Sequence, residues 1–225
     1  MQQRVFDVAI TGINGLLMHA DDLAWRDGME SWLADPENKR MSRPGDDRFP
    51  AWRWLGNVYH DGQFVGVPAD NLMTAIREGG ARVPVPGKKA LTFKKQSQSG
   101  IVVNELIWPI ETASGRVPWA DVAALREVEG FADHEELVRT LGFALFVKGA
   151  KIGTSKHIRV RPRFDQWRIA GSLTVFDETI TVEVLRLILD AAGRYSGMGD
   201  WRPSSPKSPG PWGTFSATVT PRGTR

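Results

Sequence analysis

With 225 residues, 41% of them hydrophobic and 24% charged, and a formal charge of +3, the chain is one large domain or two small ones and can bury a core. No apolar run approaches the roughly 20 residues of a membrane helix, and MQQRVFDVAITG lacks an apolar signal core, so neither a bilayer span nor an export signal is expected. The absence of cysteine excludes disulfides and thiolate metal sites and fits an intracellular life.

Residues Val5 to Ile13 alternate as a first strand. Asp21 or Asp22 can cap a helix running through Leu23, Met29, Trp32 and Leu33 and stopped before Pro36. Pro36 to Arg48 is polar and charged and read as an exposed loop, Phe49 to Trp54 with Tyr59 supplies aromatic anchors, and Asp61-Gly62 is a hairpin turn signal. VPADNLMTAIREGG reads as a helix: Pro68 suits its first turn, Leu72, Met73 and Ile76 form its apolar stripe, and Gly79-Gly80 ends it. The following VPVPGKKALTFKKQSQSG has no helical periodicity and is read as a mobile hairpin or thumb-like loop, with a strand from Ile101 to Ile110 after it.

Glu111 to Gly142 is expected to be a helical insertion. Trp119 to Glu129 is amphipathic, and Asp133-His134-Glu135-Glu136 resembles a capping box with Asp133 as N-cap and Glu136 at N3. Phe143 to Val147 begins another strand. From His157 to Phe164 the alternation is regular, with His157, Arg159, Arg161 and Arg163 on one face and Ile158, Val160, Pro162 and Phe164 on the other, although Pro162 points to an edge or bulge. Trp167 to Phe176 continues as strand. Thr179 or Thr181 caps the helix VEVLRLILDAAG, and Gly213 to Val219 is a last strand. The order is compatible with an α+β, ferredoxin or RNA-recognition type βαββαβ core enlarged by insertions.

Charge is segregated along the chain. Gly79 to Asn104, Lys148 to Phe164 and Trp201 to Arg225 together hold 15 of the 29 basic residues and none of the 26 acidic ones. A cationic surface on an acidic body favours a polyanionic partner. The alternating strand face suits phosphates spaced along an extended nucleic acid, supplying affinity without sequence preference; the alternative is a solvated edge strand guarded by charge, but four cationic positions in register exceed what edge protection needs.

Between the last helix and the last strand, Gly193 to Phe215 packs five glycines, four prolines and two tryptophans into 23 residues. Trp201 and Trp212 either stack on bases or fold inward as plugs, and Arg202 and Lys207 are the phosphate contacts expected there. Lys88, Lys89, Lys94, Lys95 and Lys156 complete the candidate nucleic-acid-binding set. His19, His60, His134 and His157 are too scattered to predict a metal site, and no phosphate-binding loop, dinucleotide fingerprint or nucleophile elbow is present. His19 is a candidate proton-transfer group for RNA cleavage or an ordinary surface histidine beside a helix start.

Gly197, Met198, Gly199, Arg202, Lys207, Gly213 and Phe215 form a pattern that resembles the carboxy-terminal glycine-rich loop of the RAMP superfamily, RNA-recognition-like backbone and processing proteins of CRISPR effector complexes. VPADNLMTAIREGG looks like the first helix of the backbone-type members, and ITGINGLLMH and GDWRP resemble proteins of tailed bacteriophages. The spacer from Gly199 to Gly213 is longer and richer in proline than the usual loop, and the chain is shorter than most backbone subunits.

The resemblance implies a single RAMP-like domain over residues 1–225, with a basic thumb-like loop at 83–100 and a helical insertion at 111–142. It implies a non-catalytic binder of single-stranded RNA or DNA, RNA first. Such a protein oligomerises along the strand or joins a ribonucleoprotein complex in the cytoplasm of a bacterial host, with no cofactor, metal or membrane partner expected. The alternatives are a metal-independent endoribonuclease using His19, and a phage assembly or host-interaction protein whose basic face docks an acidic partner.

Overall fold

Phe6, Val8 and Ile10 are buried on one face of strand β1 (Arg4–Gly12), with Asp7, Ala9 and Thr11 on the other, and this alternation orients the main sheet. The computed structural model describes residues 3–222 other than 89 and 154. After β1 come β2 (Leu16–Leu17), α1 (Leu23–Leu33), α2 (Pro36–Met41), a 3₁₀ segment (Ala51–Asn57), β3 (Gly66–Pro68) and α3 (Ala69–Gly80). Then follow α4 (Lys94–Gly100), β4 (Ile101–Val103), β5 (Ile107–Pro109), β6 (Glu111–Thr112), β7 (Gly115–Arg116), α5 (Trp119–Ala123) and α6 (Phe131–Thr140). The chain closes with β8 (Ala144–Ile152), β9 (Ser155–Phe164), β10 (Arg168–Val175), α7 (Val182–Ala191), a π-helical turn (Ala192–Ser196) and β11 (Phe215–Pro221).

The fold is mixed α+β with antiparallel sheets. In the main sheet β1 lies between β10 and β11, pairing Val8 with Gly171 and with Val219, and β10 pairs on its far side with β4 and β6. Helices α3 and α7 pack on each other and on the Phe6–Ile10 face, burying Leu72, Ile76, Leu185, Ile188 and Leu189. Each such side chain contributes about 1.5–3 kcal/mol of transfer free energy. A second sheet, β2-β9-β8, carries the long β8–β9 hairpin, whose outer residues Val147, Lys148, Gly149, Lys151 and Lys156 are exposed.

The Asp22 carboxylate caps α1 by accepting from the N–H groups of Ala24 and Trp25, and the Thr181 hydroxyl caps α7. Helix α1 buries no residue fully. It leans on the 3₁₀ segment through Trp25 and Trp32, whose rings meet Trp52 edge-on, each at 5.4 Å.

Four sequence expectations change. Lys94–Gly100 is helix rather than loop: its inner side is Ser97, whose hydroxyl donates to the Phe93 carbonyl, and Gly100, so no apolar stripe announces it. The 83–93 stretch before it keeps the expected hairpin, with Phe93 N–H on the Val83 carbonyl, Val85 N–H on that of Leu91 and Phe93 buried. The expected exposed loop at Pro36–Arg48 opens instead with helix α2, whose N-terminus the Asp35 carboxylate caps, and it buries Asp46 and Asp47. The strand expected over 101–110 is broken at Asn104–Leu106 into β4 and β5, because the Asn104 and Glu105 side chains turn to Ser172 and Thr174. The expected insertion at 111–142 opens with the β6–β7 hairpin, and α6 starts at Phe131 with Gly130 as N-cap, which leaves Asp133 inside the first turn, its carboxylate against Gly130.

Candidate nucleic-acid interface

The alternation expected for His157–Phe164 is present in β9. Val160 and Phe164 face the core, while Arg159, Arg161 and Arg163 lie opposite Lys148, Phe146 and Ala144 of β8 on the other face. Three neighbouring pieces close on that face. Strand β2 pairs Leu16–Leu17 with Phe164–Arg163, and Met18 N–H continues onto the Pro162 carbonyl, which delivers His19 beside Arg161. Segment Gly45–Asp47 lies along β9, with Asp47 N–H on the Ile158 carbonyl. The glycine-rich loop adds Asp200, whose N–H donates to the Leu17 carbonyl.

The arginines expected to meet phosphate are thereby given internal carboxylates. Arg159 Nη1 donates to Asp47 Oδ1 at 2.9 Å, and Arg163 Nη2 donates to Asp165 Oδ2 at 2.9 Å. Arg161 is only 8% exposed, donating to Asp200 Oδ2 through Nε at 3.0 Å and to the Val160 carbonyl through Nη1 at 3.0 Å. Asp47 also lies 3.7 Å from Arg53 and 3.7 Å from Arg161, so one buried carboxylate gathers three guanidinium groups. A fixed guanidinium held this way is a rigid bracket rather than an extended phosphate hook.

His19 stands at the mouth of a hollow of about 590 Å³ lined also by Asp47, Arg53, Arg159, Arg161 and Trp25. Its Nδ1 is 3.6 Å from Asp200 Oδ2, its Nε2 is 3.3 Å from Arg161 Nη2, and its carbonyl accepts from the Tyr59 hydroxyl at 2.7 Å. Burial and the Arg161 guanidinium hold the imidazole below its usual range, against the opposing pull of Asp200 and Asp21. His157 turns its ring against Gly45, and its buried Nδ1 has no hydrogen-bond partner among the described residues.

On the rim, Trp201 and Trp212 are half-buried around Phe146, at centroid distances of 5.9 and 5.1 Å. Of the two alternatives for these rings, packing is therefore engaged, while Lys148 Nζ lies 4.2 Å from the Trp201 centroid and marks the outer edge of the platform. Arg202 bends back into its own loop, donating to Ser204 Oγ at 3.0 Å. Two glycines are required by the loop's docking: Gly199 has φ +76 and a Cβ there would overlap the Leu17 carbonyl, and Gly213 has φ +70 with Met198 in the same relation.

Lys207 is exposed, as are Lys88, Lys94 and Lys95, the last two at the start of α4; Lys89 lies outside the described residues. Lys156 sits directly across from Lys151 near the end of the β8–β9 hairpin. The structure therefore groups His157, Arg159, Arg161, Arg163 and Trp201 and adds Asp47, Arg53 and Asp200, which sequence reasoning missed. Asp46-Asp47 in a polar stretch and the lone acid of GDWRP were their only sequence signals. Among the described residues no group of three His, Asp or Glu side chains has the arrangement of a metal site. Among the same residues no helix is long and apolar enough to cross a membrane. No protein-family model matches the chain, and no curated protein matches it.

Proposed function

We propose that the protein is a non-catalytic binder of single-stranded nucleic acid, RNA before DNA, with several copies lining one strand. One observation carries this reading: the β8–β9 hairpin sets Lys151 directly opposite Lys156, both exposed, with Lys148 farther along the same hairpin. Like charges directly opposed across two strands are destabilising. No ion pair relieves Lys148, Lys151 or Lys156 among the described residues, in contrast to Arg159, Arg161 and Arg163 on the same sheet. Lys148 lies beside the Phe146–Trp201 platform and the Lys151–Lys156 pair on the opposite face of the ribbon near its tip, so unneutralised ammonium groups on both faces suit a phosphate backbone that passes around the hairpin end, with a stacking surface on one side.

The core strands support the finer fold reading as a ferredoxin-like, RAMP-like domain. Helix α3 falls between β1 and β4, α7 falls between β10 and β11, and the sheet order is β11-β1-β10-β4. The projecting basic element in this reading is the β8–β9 hairpin rather than residues 83–100.

Fluorescence anisotropy of a labelled 20-nucleotide RNA over a salt series tests the proposal. Binding that weakens steeply with salt and is lost in Lys151→Glu plus Lys156→Glu is expected. Salt-independent binding, or full affinity in the double variant, overturns it. A second reading, metal-independent RNA cleavage, is favoured by the placement of a His19 imidazole of lowered pKa between Asp200 and Arg161. Incubating RNA in EDTA with wild type and His19→Ala decides it: cleavage confined to the wild type supports it, and equal or absent cleavage removes it.

A further inference from the structure

A second hollow, of about 630 Å³, is lined by Arg77, Glu78, Arg82, Lys94, Tyr195 and Ser204 among others. Its walls come from five places in the chain: the last turn of α3, the residues just past it, helix α4, the junction of α7 with the loop, and the loop itself at Ser204. The junction is a π-helical turn, Ala192–Ser196, a geometry that widens a helix by one residue and recurs at functional sites. It sends the Ser196 hydroxyl inward to the Glu78 carboxylate and leaves Tyr195 52% exposed at the mouth.

The charges here differ from those of the strand face. Arg77, Arg82 and Lys94 have no carboxylate within ion-pairing distance among the described residues, whereas each arginine of β9 has one. The single acid in the lining, Glu78, is already engaged by Ser196 and lies 3.9 Å from Arg202. The Arg82 guanidinium sits 4.8 Å from the Tyr195 ring centroid, so a planar cation and an exposed aromatic ring are stacked together beside two further cations.

We infer that this hollow is a binding site for one nucleotide unit, its phosphate held by Arg77, Arg82 and Lys94 and its base laid on the Arg82–Tyr195 stack. An inorganic anion would account for the cations and leave the exposed tyrosine without a role. A neutral aromatic ligand would leave three cations uncompensated. A phosphorylated base uses both, and the hollow lies within the roughly 300–1,000 Å³ of small-molecule sites. Stacking tolerates every base, so weak base preference is expected. The unit comes either as a free mononucleotide or as an unpaired nucleotide of a strand, and the site is separate from the β8–β9 hairpin.

Isothermal titration of the full chain with AMP, adenosine and inorganic phosphate tests the site. AMP is expected to bind at least tenfold more tightly than either fragment. Arg82→Ala and Tyr195→Ala each weaken AMP at least tenfold without lowering the melting temperature, while Tyr195→Phe keeps it. Lys151→Glu plus Lys156→Glu leaves AMP affinity unchanged, which separates failure of this site from failure of the hairpin proposal. An oligonucleotide blocked at both ends that displaces AMP assigns the site to a strand; one that does not displace it assigns the site to free nucleotide. Absence of AMP binding, phosphate binding as tight as AMP, or AMP binding that survives both alanine variants overturns the inference.

Discussion

Arg161 and Asp200, 39 residues apart, meet at 3.0 Å and tie strand β9 to the glycine-rich loop. The pair is one end of a chain of charges running from Arg53 and Arg159 through Asp47 to Arg161, Asp200 and His19. Its members share one another's fields, so removing any of them acts on the rest.

Asp200→Ala leaves the nearly buried Arg161 guanidinium with Asp47 as its remaining acid, at 3.7 Å. Because Asp200 keeps some solvent contact, the loss is expected at the low end for a broken buried pair, about 3 kcal/mol in urea unfolding. The same change removes a carboxylate that raises the His19 pKa, so the imidazole titrates at still lower pH, whereas Arg161→Met moves it upward. Proton NMR of His19 across pH 4–8 reads both directions, and shifts of the same sign in the two variants refute this account.

The hairpin lysines separate binding from stability. Lys151→Ala plus Lys156→Ala relieves a like-charge opposition, so the melting temperature stays level or rises slightly. Affinity for single-stranded RNA falls at the same time, and the slope of log K against log salt becomes shallower by about 0.7 for each lost phosphate contact. A loss of both stability and affinity points instead to a structural role for the two lysines.

Legibility from sequence followed the range over which each signal acts. The alternation of β9 and the stripes of α3 and α7 are local periodicities, and they are present where the residues imply them. Helix α4 has no sequence signal of this kind, because it meets α3 through Ser97 beside Gly80 rather than with an apolar stripe. The acid-free tracts are a property of the linear chain, but charge is neutralised through space: Asp47 reaches Arg159 across 112 residues and Asp200 reaches Arg161 across 39. Periodicity carries no information about such partners, and so the strand face looked more open than it is.

His134 is fully buried, and its two ring nitrogens are both committed. Nδ1 accepts from the Trp54 indole at 3.0 Å, which leaves Nε2 protonated and donating to the Val128 carbonyl at 2.9 Å. Burial outweighs the opposing effects of the Val128 carbonyl and the Asp133 carboxylate and holds its pKa below the usual 6.5. The unfolded chain therefore binds the extra proton more readily, and stability declines as pH falls through and below about 6.5. His19 and His60 act in the same direction, so the contribution of His134 is isolated by a variant. In urea unfolding at pH 5 and 7, His134→Gln is expected to be less stable than wild type at pH 7 and to lose less on acidification. An equal loss in both proteins would show that His134 is not the titrating group.

Gly213 tests the docking of the glycine-rich loop. Its φ of +70 and its approach to the Met198 carbonyl both exclude a side chain, and the Met198 N–H bonds the Gly213 carbonyl at 2.9 Å in the same contact. Gly213→Ala is expected to lower stability by about 1–3 kcal/mol through backbone strain, more than the few tenths expected of a surface loop substitution. Because Trp212 and Met198 are carried on that contact, the change displaces the Phe146–Trp212 packing as well, and nucleic-acid affinity falls while the hairpin lysines remain intact. Thermal melting and RNA anisotropy of the one variant check both. Unchanged melting sinks the strain argument, and lowered melting with full RNA affinity removes the platform from the binding surface.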